Sequence, residues 1–400
     1  MSKTNDEQTI GKLGAIYFDQ EALRLPPVPV YRIMDRSNRN YFVVDENRKA
    51  ILLDGVTTIV NSTLPKSEFL LKWIAEMGYN EAKEYRDTRA LYGTLMHMML
   101  AHFLINGFVE VEEVEKGVQA YCRAHNLTSV QAGSWVDDIC SDLLAFSQFS
   151  RDYNVKALAI EVTLADTDRR IAGTVDLICK LDVEVKGFFG ETYKSGDQKG
   201  QPKESKQTFR RFAIIDFKSG RSGSNTEDKA AQLSFYRELA LKNYPDLFQG
   251  EEILLFNWSP KDWRNRPSYT LLDQTDNFSS RDVQLMLELY QSRLSTKIEE
   301  RTSVSFKGRI TLGGEASDNY EVLTTAQIVQ QRIDESIAGR QTDDVIDQQL
   351  FPDYVYESFT TLISDNNDNE KQQDQTNDDS DTDDTPSTDR QGSLWGETHQ

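Results

Sequence analysis

The sequence predicts an α/β fold with a mixed core of helices and strands. Apolar residues recur at three- and four-residue intervals over residues 66–153, and strand-like apolar runs then alternate with helical segments as far as residue 298. The chain has 400 residues, 38% of them hydrophobic, which suffices for one large or two ordinary globular domains. These values exclude a wholly disordered or fibrous protein.

The elements can be assigned in chain order. Three short strand-like runs, VPVYRI, NYFVV and KAILL, follow a loosely ordered start and predict an N-terminal extension over residues 1–54. The helical periodicity of residues 66–153 predicts about four helices. Three strands come next, in ALAIEVTLAD, RRIAGTVDLICKLD and FRRFAIIDFKSG. The last two have the near-continuous apolar runs of strands that are covered on both faces.

A polar insert at about residues 184–209 separates these last two strands and predicts an extended hairpin tip or a mobile loop. A helix (KAAQLSFYRELALKNY), two strands (EEILLFNWSP and SYTLLD) and a further helix (SRDVQLMLELYQSRL) complete a core domain that we assign to residues 55–298. Residues 299–364 contain a strand pair and a helix and form a C-terminal accessory region. The Asp-, Asn-, Gln-, Thr- and Ser-rich composition of residues 365–400 predicts a disordered acidic tail.

The tail has eleven acidic residues against two basic ones and so contributes −9 of the net charge of −20, which leaves −11 for the other 364 residues. Local basic patches therefore remain open for the rest of the chain. The three cysteines have no CxxC spacing, and the N-terminus lacks the basic and apolar regions of a signal peptide, so we expect a cytoplasmic protein without a membrane span. The absence of P-loop and G-x-S-x-G motifs argues against an ATP-driven motor and an α/β-hydrolase.

Two acidic residues interrupt strongly apolar strands: Asp176 in GTVDLI and Asp216 in AIIDFKSG. A carboxylate in a buried strand is costly unless it is paired or binds a metal ion. Asp216 and Lys218 are two residues apart, so they project from the same face of their strand. Two carboxylates and the carbonyl of Phe217 would supply hard oxygen ligands for Mg²⁺, and the lysine would position or deprotonate a water or neutralise charge on a phosphate.

An Asp in one strand followed by D-x-K in the next resembles the PD-(D/E)XK nucleases. Further features resemble the RecB-type and phage λ-exonuclease-like branch: the G-T-x-x-H run that ends at His97, Glu161 in AIEVTL, and the Q-x-x-x-Y element Gln232 to Tyr236. The resemblance covers roughly residues 55–260 and includes all these motifs in order. It departs from the family in lacking the usual proline before Asp176 and in its long polar insert.

The resemblance implies a restriction-endonuclease-like core, which is a central mixed β-sheet flanked by helices. It also implies a Mg²⁺- or Mn²⁺-dependent deoxyribonuclease, most simply an exonuclease, that acts in phage or bacterial DNA recombination, replication or repair. It implies that Asp176 and Asp216 bind metal together with His97 and Glu161. Lys218 would serve the attacking water. Gln232 and Tyr236 would orient the site or the DNA.

DNA is the implied partner, and several basic residues are candidates to contact it. Arg221 follows the D-x-K strand directly, and a second cluster comprises Arg169, Arg170, Lys261, Arg264 and Arg266 with Trp258 and Trp263 among them. The insert contributes Lys186, Lys194, Lys199, Lys203, Lys206, Arg210 and Arg211. For each group, ordinary solvated surface charge is an equal alternative.

Other functions remain open. The chain could be a DNA-binding or recombination scaffold that keeps the nuclease fold without cutting, or a nuclease subunit that needs a partner. The acidic tail could itself be the main functional element, as a DNA mimic or a docking peptide for a replication or recombination protein. The motifs do not determine exonuclease or endonuclease action, polarity, strand preference, RNA as a substrate, or oligomeric state.

Overall fold

The computed structural model describes residues 30–35, 38–47, 49–220, 227–294, 302–308 and 319–338. These residues form the predicted α/β fold, with a mixed central sheet between two layers of helices. No helix in the described ranges is long and apolar enough to cross a membrane. The predicted disordered tail, residues 365–400, and the first 29 residues of the predicted N-terminal extension lie outside the described residues.

Ten strands are described. They are β1 Tyr31–Asp35, β2 Asn38–Val44, β3 Ala50–Gly55, β4 Lys156–Asp166, β5 Ile171–Gly187, β6 Ser205–Phe217, β7 Ile253–Pro260, β8 Tyr269–Asp273, β9 Thr302–Phe306 and β10 Tyr320–Thr324. The first eight form one sheet, in which β4 pairs with β5 and the others follow the order β1-β2-β3-β5-β6-β7-β8. The pairings β3–β5 and β6–β7 are parallel and the others are antiparallel.

The sheet has a gap next to β5 that positions the site described below. One edge of β5 pairs with β4 along most of its first half, so β3 and β6 must share the other edge. The pairing of β3 ends at Ala172 of β5, and that of β6 begins at Leu177. The segment of β5 around Asp176 therefore lies between the end of one neighbouring strand and the end of another.

The described helices cover both faces of the sheet. They are α1 Val56–Thr63, α2 Glu68–Met77, α3 Tyr79–Asn106, α4 Val111–Ala124, α5 Ser129–Asp152, α6 Glu227–Asn243, α7 Pro245–Phe248, α8 Ser280–Leu289, which a π-helical turn Tyr290–Leu294 continues, and α9 Thr325–Ala338. Helices α3, α4 and α5 share one hydrophobic cluster with the odd-numbered β6 residues Ala213, Ile215 and Phe217. Helices α1, α6 and α8 pack with Phe212 and Ile214 of the same strand. The alternation follows from the two-residue period of a strand.

Helix α3 supports the site from one face. Gly78 and Gly107 flank it with φ angles of 92° and 74°, which glycine adopts at no steric cost. Residues from Tyr92 onward are largely buried, including Leu95, Met96 and Met99. The 28-residue helix is therefore fixed along its second half, where His97 lies.

The polar insert extends the sheet rather than covering the site. Strands β5 and β6 continue as an antiparallel pair as far as Gly187 and Ser205, and residues 188–204 connect them. Gly187 lies eleven residues beyond Asp176, or about 36 Å along a strand. Lys206 and Arg210 form ion pairs there with Glu184 and Asp182.

The accessory region is described in part. Strands β9 and β10 pair antiparallel, as the sequence predicted, and α9 follows them directly. Val329 of α9 is buried against Phe42 and Leu52. The N-terminal strands and this region therefore pack on each other.

Candidate metal and catalytic centre

A row of polar side chains crosses four adjacent strands of the sheet. Glu161 of β4 lies between two residues that pair with the neighbours of Asp176 on β5. The register of β5 and β6 places Asp216 one position beyond the last recorded pair, opposite Asp176. Asp216 pairs in turn with Asn257 of β7. All four are at most 9% exposed, so the row brings three carboxyl groups into the interior.

Glu161 has an unusual backbone for a strand residue. Its φ angle is 49°, in the left-handed region that non-glycine residues avoid. Such a conformation costs on the order of 1–3 kcal/mol and persists where the surrounding structure enforces it, often at functional sites. Here it accompanies a side chain that reaches His97.

His97 of α3 links the carboxyl groups of Glu161 and Asp176. Its Nδ1 lies 3.2 Å from Oε1 of Glu161 and 3.5 Å from Oδ1 of Asp176, and its Nε2 lies 3.1 Å from the carbonyl oxygen of Phe217. Burial lowers the pKa of His97, but the negative charges of Asp176 and Glu161 outweigh that effect and raise it to about 9. Near neutral pH the ring is therefore a cation that donates from both nitrogens.

Asp176 sits at the gap in the sheet. Its Oδ2 accepts a 2.6 Å hydrogen bond from the backbone N–H of Phe217, at the end of β6. Burial raises the pKa of Asp176 to about 7, against the opposing effect of the His97 cation. The carboxyl group thus joins the end of the D-x-K strand to the histidine.

Asp216 and Lys218 form a close ion pair. The lysine Nζ lies 2.7 Å from Oδ2 and 2.9 Å from Oδ1 of Asp216. Burial lowers the pKa of Lys218, but Asp216 and Asp176 raise it, and the net pKa is above the ordinary lysine value. The lysine is therefore an ammonium group in this arrangement.

The Q-x-x-x-Y element approaches from the opposite face of the sheet. Gln232 donates a 2.7 Å hydrogen bond to the hydroxyl of Tyr236, and its Oε1 lies 3.4 Å from Nζ of Lys218. The ring of Tyr236 packs against Gly173, where an added Cβ would lie 2.7 Å from Cε1. The glycine of the G-T-V-D run therefore leaves room for the tyrosine.

The start of the G-T-x-x-H run contacts the segment after the D-x-K strand. An added Cβ at Gly93 would lie 3.2 Å from Oγ of Ser219, and Arg89 donates a 2.8 Å hydrogen bond to the Ser219 carbonyl. Arg89 was not among the residues singled out from the sequence. An arginine on a helix carries no local signal of such a contact.

Seven of the predicted site residues thus form one connected cluster: His97, Glu161, Asp176, Asp216, Lys218, Gln232 and Tyr236. Two of the predicted DNA-binding arginines, Arg169 and Arg170, have other partners. Arg169 is ion-paired with Asp166 at 2.7 Å, and Arg170 donates to the carbonyl of Leu52 at 2.9 Å. Both lie in the turn before β5, and Arg221 lies outside the described residues.

One expectation from the sequence is wrong. Trp258 was grouped with residues that could stack on an exposed base, but its side chain is 0% exposed. It packs edge-on against Phe146 and Phe217 in the core between the sheet and α5. Its position on a strand with both faces covered explains the burial.

Asn257 was also missed by sequence reasoning. Its Nδ2 donates a 2.7 Å hydrogen bond to Oδ2 of Asp216. The signal was present, because an asparagine in the apolar run ILLFNWS is as anomalous as Asp176 in GTVDLI.

The donor groups in this cluster suit a divalent metal ion. Ligand atoms of His97, Glu161 and Asp176 all lie within 4.8 Å of one another. One imidazole nitrogen and two carboxylates are compatible with several divalent ions, so the donor set does not identify the metal.

Comparisons with known proteins leave the family unassigned. No protein-family model and no curated protein matches this chain. Among solved structures, the one described as "Crystal structure of SSO0001" aligns with 51% of this chain and 85% of its own length, at 12% identity and a TM-score of 0.19. A likeness at that score supports no conclusion about fold or function.

Proposed function

We propose that this protein is a divalent-metal-dependent deoxyribonuclease with a restriction-endonuclease-like core of the PD-(D/E)XK type. The observation that carries the proposal is the joining of the Asp216–Lys218 ion pair to the carboxyl group of Asp176. The backbone N–H of Phe217, between Asp216 and Lys218, donates to Asp176 at 2.6 Å. This proximity of two acids and a lysine supports a site for metal-assisted phosphodiester hydrolysis.

The metal would be held by Asp176, Glu161 and His97, and Asp216 would complete the ligand set. Bound Mg²⁺ or Mn²⁺ would supply Lewis-acid polarisation of a phosphate oxygen. To ligate through a nitrogen, His97 must give up one of its two protons, so the ring would exchange a contact with the carboxylates for one with the ion. The observation that supports this assignment is the mutual approach of the three ligand atoms.

Lys218 would act on the substrate side of the site. Its side chain is 28% exposed, whereas that of Asp216 is 3% exposed, so the ammonium group is the part of the pair that meets solvent. In its charged form it would orient a water molecule through a hydrogen bond and neutralise charge that develops on the phosphate. Gln232 and Tyr236 would restrict its position from the α6 side.

The biological setting that we propose rests on the resemblance of the motifs to RecB-type and phage exonucleases. We propose an exonuclease that acts on DNA in the cytoplasm of a bacterium or a phage-infected host cell, during recombination, replication or repair. The acidic residues 365–400 would serve as an auxiliary docking segment for a replication or recombination protein. Deletion of that tail is expected to leave cleavage intact and to abolish binding of the partner.

The test is cleavage of end-labelled linear DNA and covalently closed circular DNA by the purified full chain in Mg²⁺, Mn²⁺ and EDTA. Lys218→Ala should abolish cleavage. Lys242→Ala is the matched control, because Lys242 also forms a lysine–aspartate pair, at 2.8 Å with Asp168, but its side chain is 50% exposed and lies outside the cluster.

Metal-dependent loss of linear DNA with survival of the circle supports an exonuclease, whereas cutting of the circle indicates an endonuclease. DNA binding without cleavage in any metal would reject the enzyme and favour the scaffold or the partner-dependent subunit. Equal loss of activity in both lysine variants would remove the assigned role of Lys218.

A further inference from the structure

A chain of side-chain amides, of which the two nearest to Asp216 are buried, lies behind Asp216, on the side away from His97 along the row. It begins with Asn257 of β7 and continues to Gln274 and Asn277 in the turn that follows β8. Asn257 is 4% exposed and Gln274 is 0% exposed. Buried amides are costly unless their hydrogen bonds are satisfied, so this chain calls for a physical explanation.

The hydrogen bonds of this chain have one direction. Asn277 donates to Oε1 of Gln274, Gln274 donates to Oδ1 of Asn257 at 3.0 Å, and Asn257 donates to Oδ2 of Asp216 at 2.7 Å. A carboxylate can only accept hydrogen bonds. The acceptor role of Asp216 therefore fixes the orientation of both amides. If the Asn257 amide were reversed, its oxygen would face the Asp216 carboxylate and its nitrogen would face the donor group of Gln274.

The hydrogen bond from Asn257 restrains the Asp216 carboxylate, which forms the ion pair with Lys218. Oδ2 of Asp216 accepts from Asn257 at 2.7 Å and also lies 2.7 Å from Nζ of Lys218. Lys218 is a partly exposed side chain, whereas Asn257 belongs to a central strand and is itself held by Gln274. The rigid partner of Asp216 is consequently the asparagine.

We infer that Asn257, oriented by Gln274, is a positioning residue that fixes the Asp216 carboxylate for its role in the site. The inference deepens the proposed nuclease function and rests on it. Asn257 acts through Asp216 and has no direct contact with substrate.

Two substitutions remove the contact in different ways. Asn257→Leu keeps a similar side-chain volume and removes the donor. Gln274→Glu replaces the donor with an acceptor, so the Asn257 amide is expected to turn its nitrogen to Glu and its oxygen to Asp216. The matched control is Asn243→Leu, since Asn243 is also buried and donates to the carbonyls of Ala165 and Leu239.

The experiment measures kcat and KM on linear DNA, Mn²⁺ affinity by calorimetry, and the crystal structure of each full-length variant. We expect Asn257→Leu and Gln274→Glu to lower kcat or Mn²⁺ affinity about 10- to 100-fold at unchanged KM for DNA. In both crystal structures the Asp216 carboxylate should depart from its wild-type position. Asn243→Leu should lower the unfolding midpoint and keep kcat.

The inference is overturned if both variants retain wild-type kcat and Mn²⁺ affinity with Asp216 unmoved, or if Asn243→Leu has the same kinetic effect. If the wild-type protein cleaves no DNA, the proposed function fails. The position of Asp216 in the variant crystals then still decides whether Asn257 fixes the carboxylate.

Discussion

Gly173 offers a quantitative test of how the Q-x-x-x-Y element is seated. In Gly173→Ala the new methyl group would lie 2.7 Å from Cε1 of Tyr236 and 3.1 Å from Cγ2 of Val56. Both neighbours are buried, at 4% and 1% exposure, so neither can yield to solvent. Overpacking of a core by one methyl group costs about 1–3 kcal/mol, and a cost of about 2 kcal/mol lowers the melting temperature by about 4–8 °C in a domain of this size.

The matched control for this substitution is Gly133→Ala. Gly133 lies in α5, and an added Cβ there would meet no atom within 4 Å. Alanine is favoured over glycine in helices by about 1 kcal/mol, so this variant should be more stable than the wild type.

Thermal unfolding of both variants, with Gly173→Ala/Tyr236→Leu as a third, provides the assay. Shortening Tyr236 relieves the clash, so the double variant should be more stable than the sum of the single effects predicts. Gly173→Ala should also lower cleavage activity, because displacement of Tyr236 moves Gln232 and Lys218. A melting temperature of Gly173→Ala within 1 °C of wild type, about 0.3–0.5 kcal/mol, would refute the reasoning.

Three further predictions concern stability and the β5–β6 extension. In the folded protein the pKa of His97 is about 9, against an ordinary value of 6.5, and that of Asp176 is about 7, against 3.8. Because the folded state holds both protons more tightly than the unfolded state, metal-free protein should lose stability as pH rises from the ordinary to the raised pKa of each group. His97→Gln should remove the loss in unfolding free energy between pH 6.5 and 9, about 3 kcal/mol, measured by urea titrations with EDTA. An unchanged dependence of the unfolding free energy on pH in that range would contradict the raised pKa of His97. Tyr92→Phe removes a 2.6 Å hydrogen bond to the buried Asp142 carboxylate and should cost about 1.5–3 kcal/mol in urea unfolding, whereas a loss below about 0.5 kcal/mol would show that the bond is dispensable. Replacing residues 188–204 with Asn-Gly should leave kcat unchanged, because the extension ends about 36 Å from Asp176, and a tenfold fall would place this segment at the site.

Much of the local structure was predictable because it depends on short-range patterns. The strands around Asp176 and Asp216 stand out as apolar runs, and the two-residue spacing of Asp216 and Lys218 gave their common face, which the 2.7 Å contact confirms. The four helices predicted over residues 66–153 correspond to α2–α5.

The remaining features depend on contacts between distant segments. The gap beside Asp176 exists because β3 and β6 share one edge of β5, and no local pattern encodes which strands become neighbours. The left-handed backbone of Glu161 is imposed by the fold against the preference of its own side chain. The ion pair of Arg169 with Asp166 is a local turn contact that composition alone cannot distinguish from a free cationic surface.

The central claim is that the cluster around Asp176 hydrolyses DNA with a divalent metal ion. Its most direct test is the time course of acid-soluble nucleotide release from linear duplex DNA in Mg²⁺ by wild type, Asp176→Asn and Asp168→Asn. Asp168 is a suitable control, because its side chain is 74% exposed and pairs with Lys242 outside the cluster. We predict release by wild type and Asp168→Asn and none by Asp176→Asn, whereas equal release by all three, or none by wild type, would contradict the account.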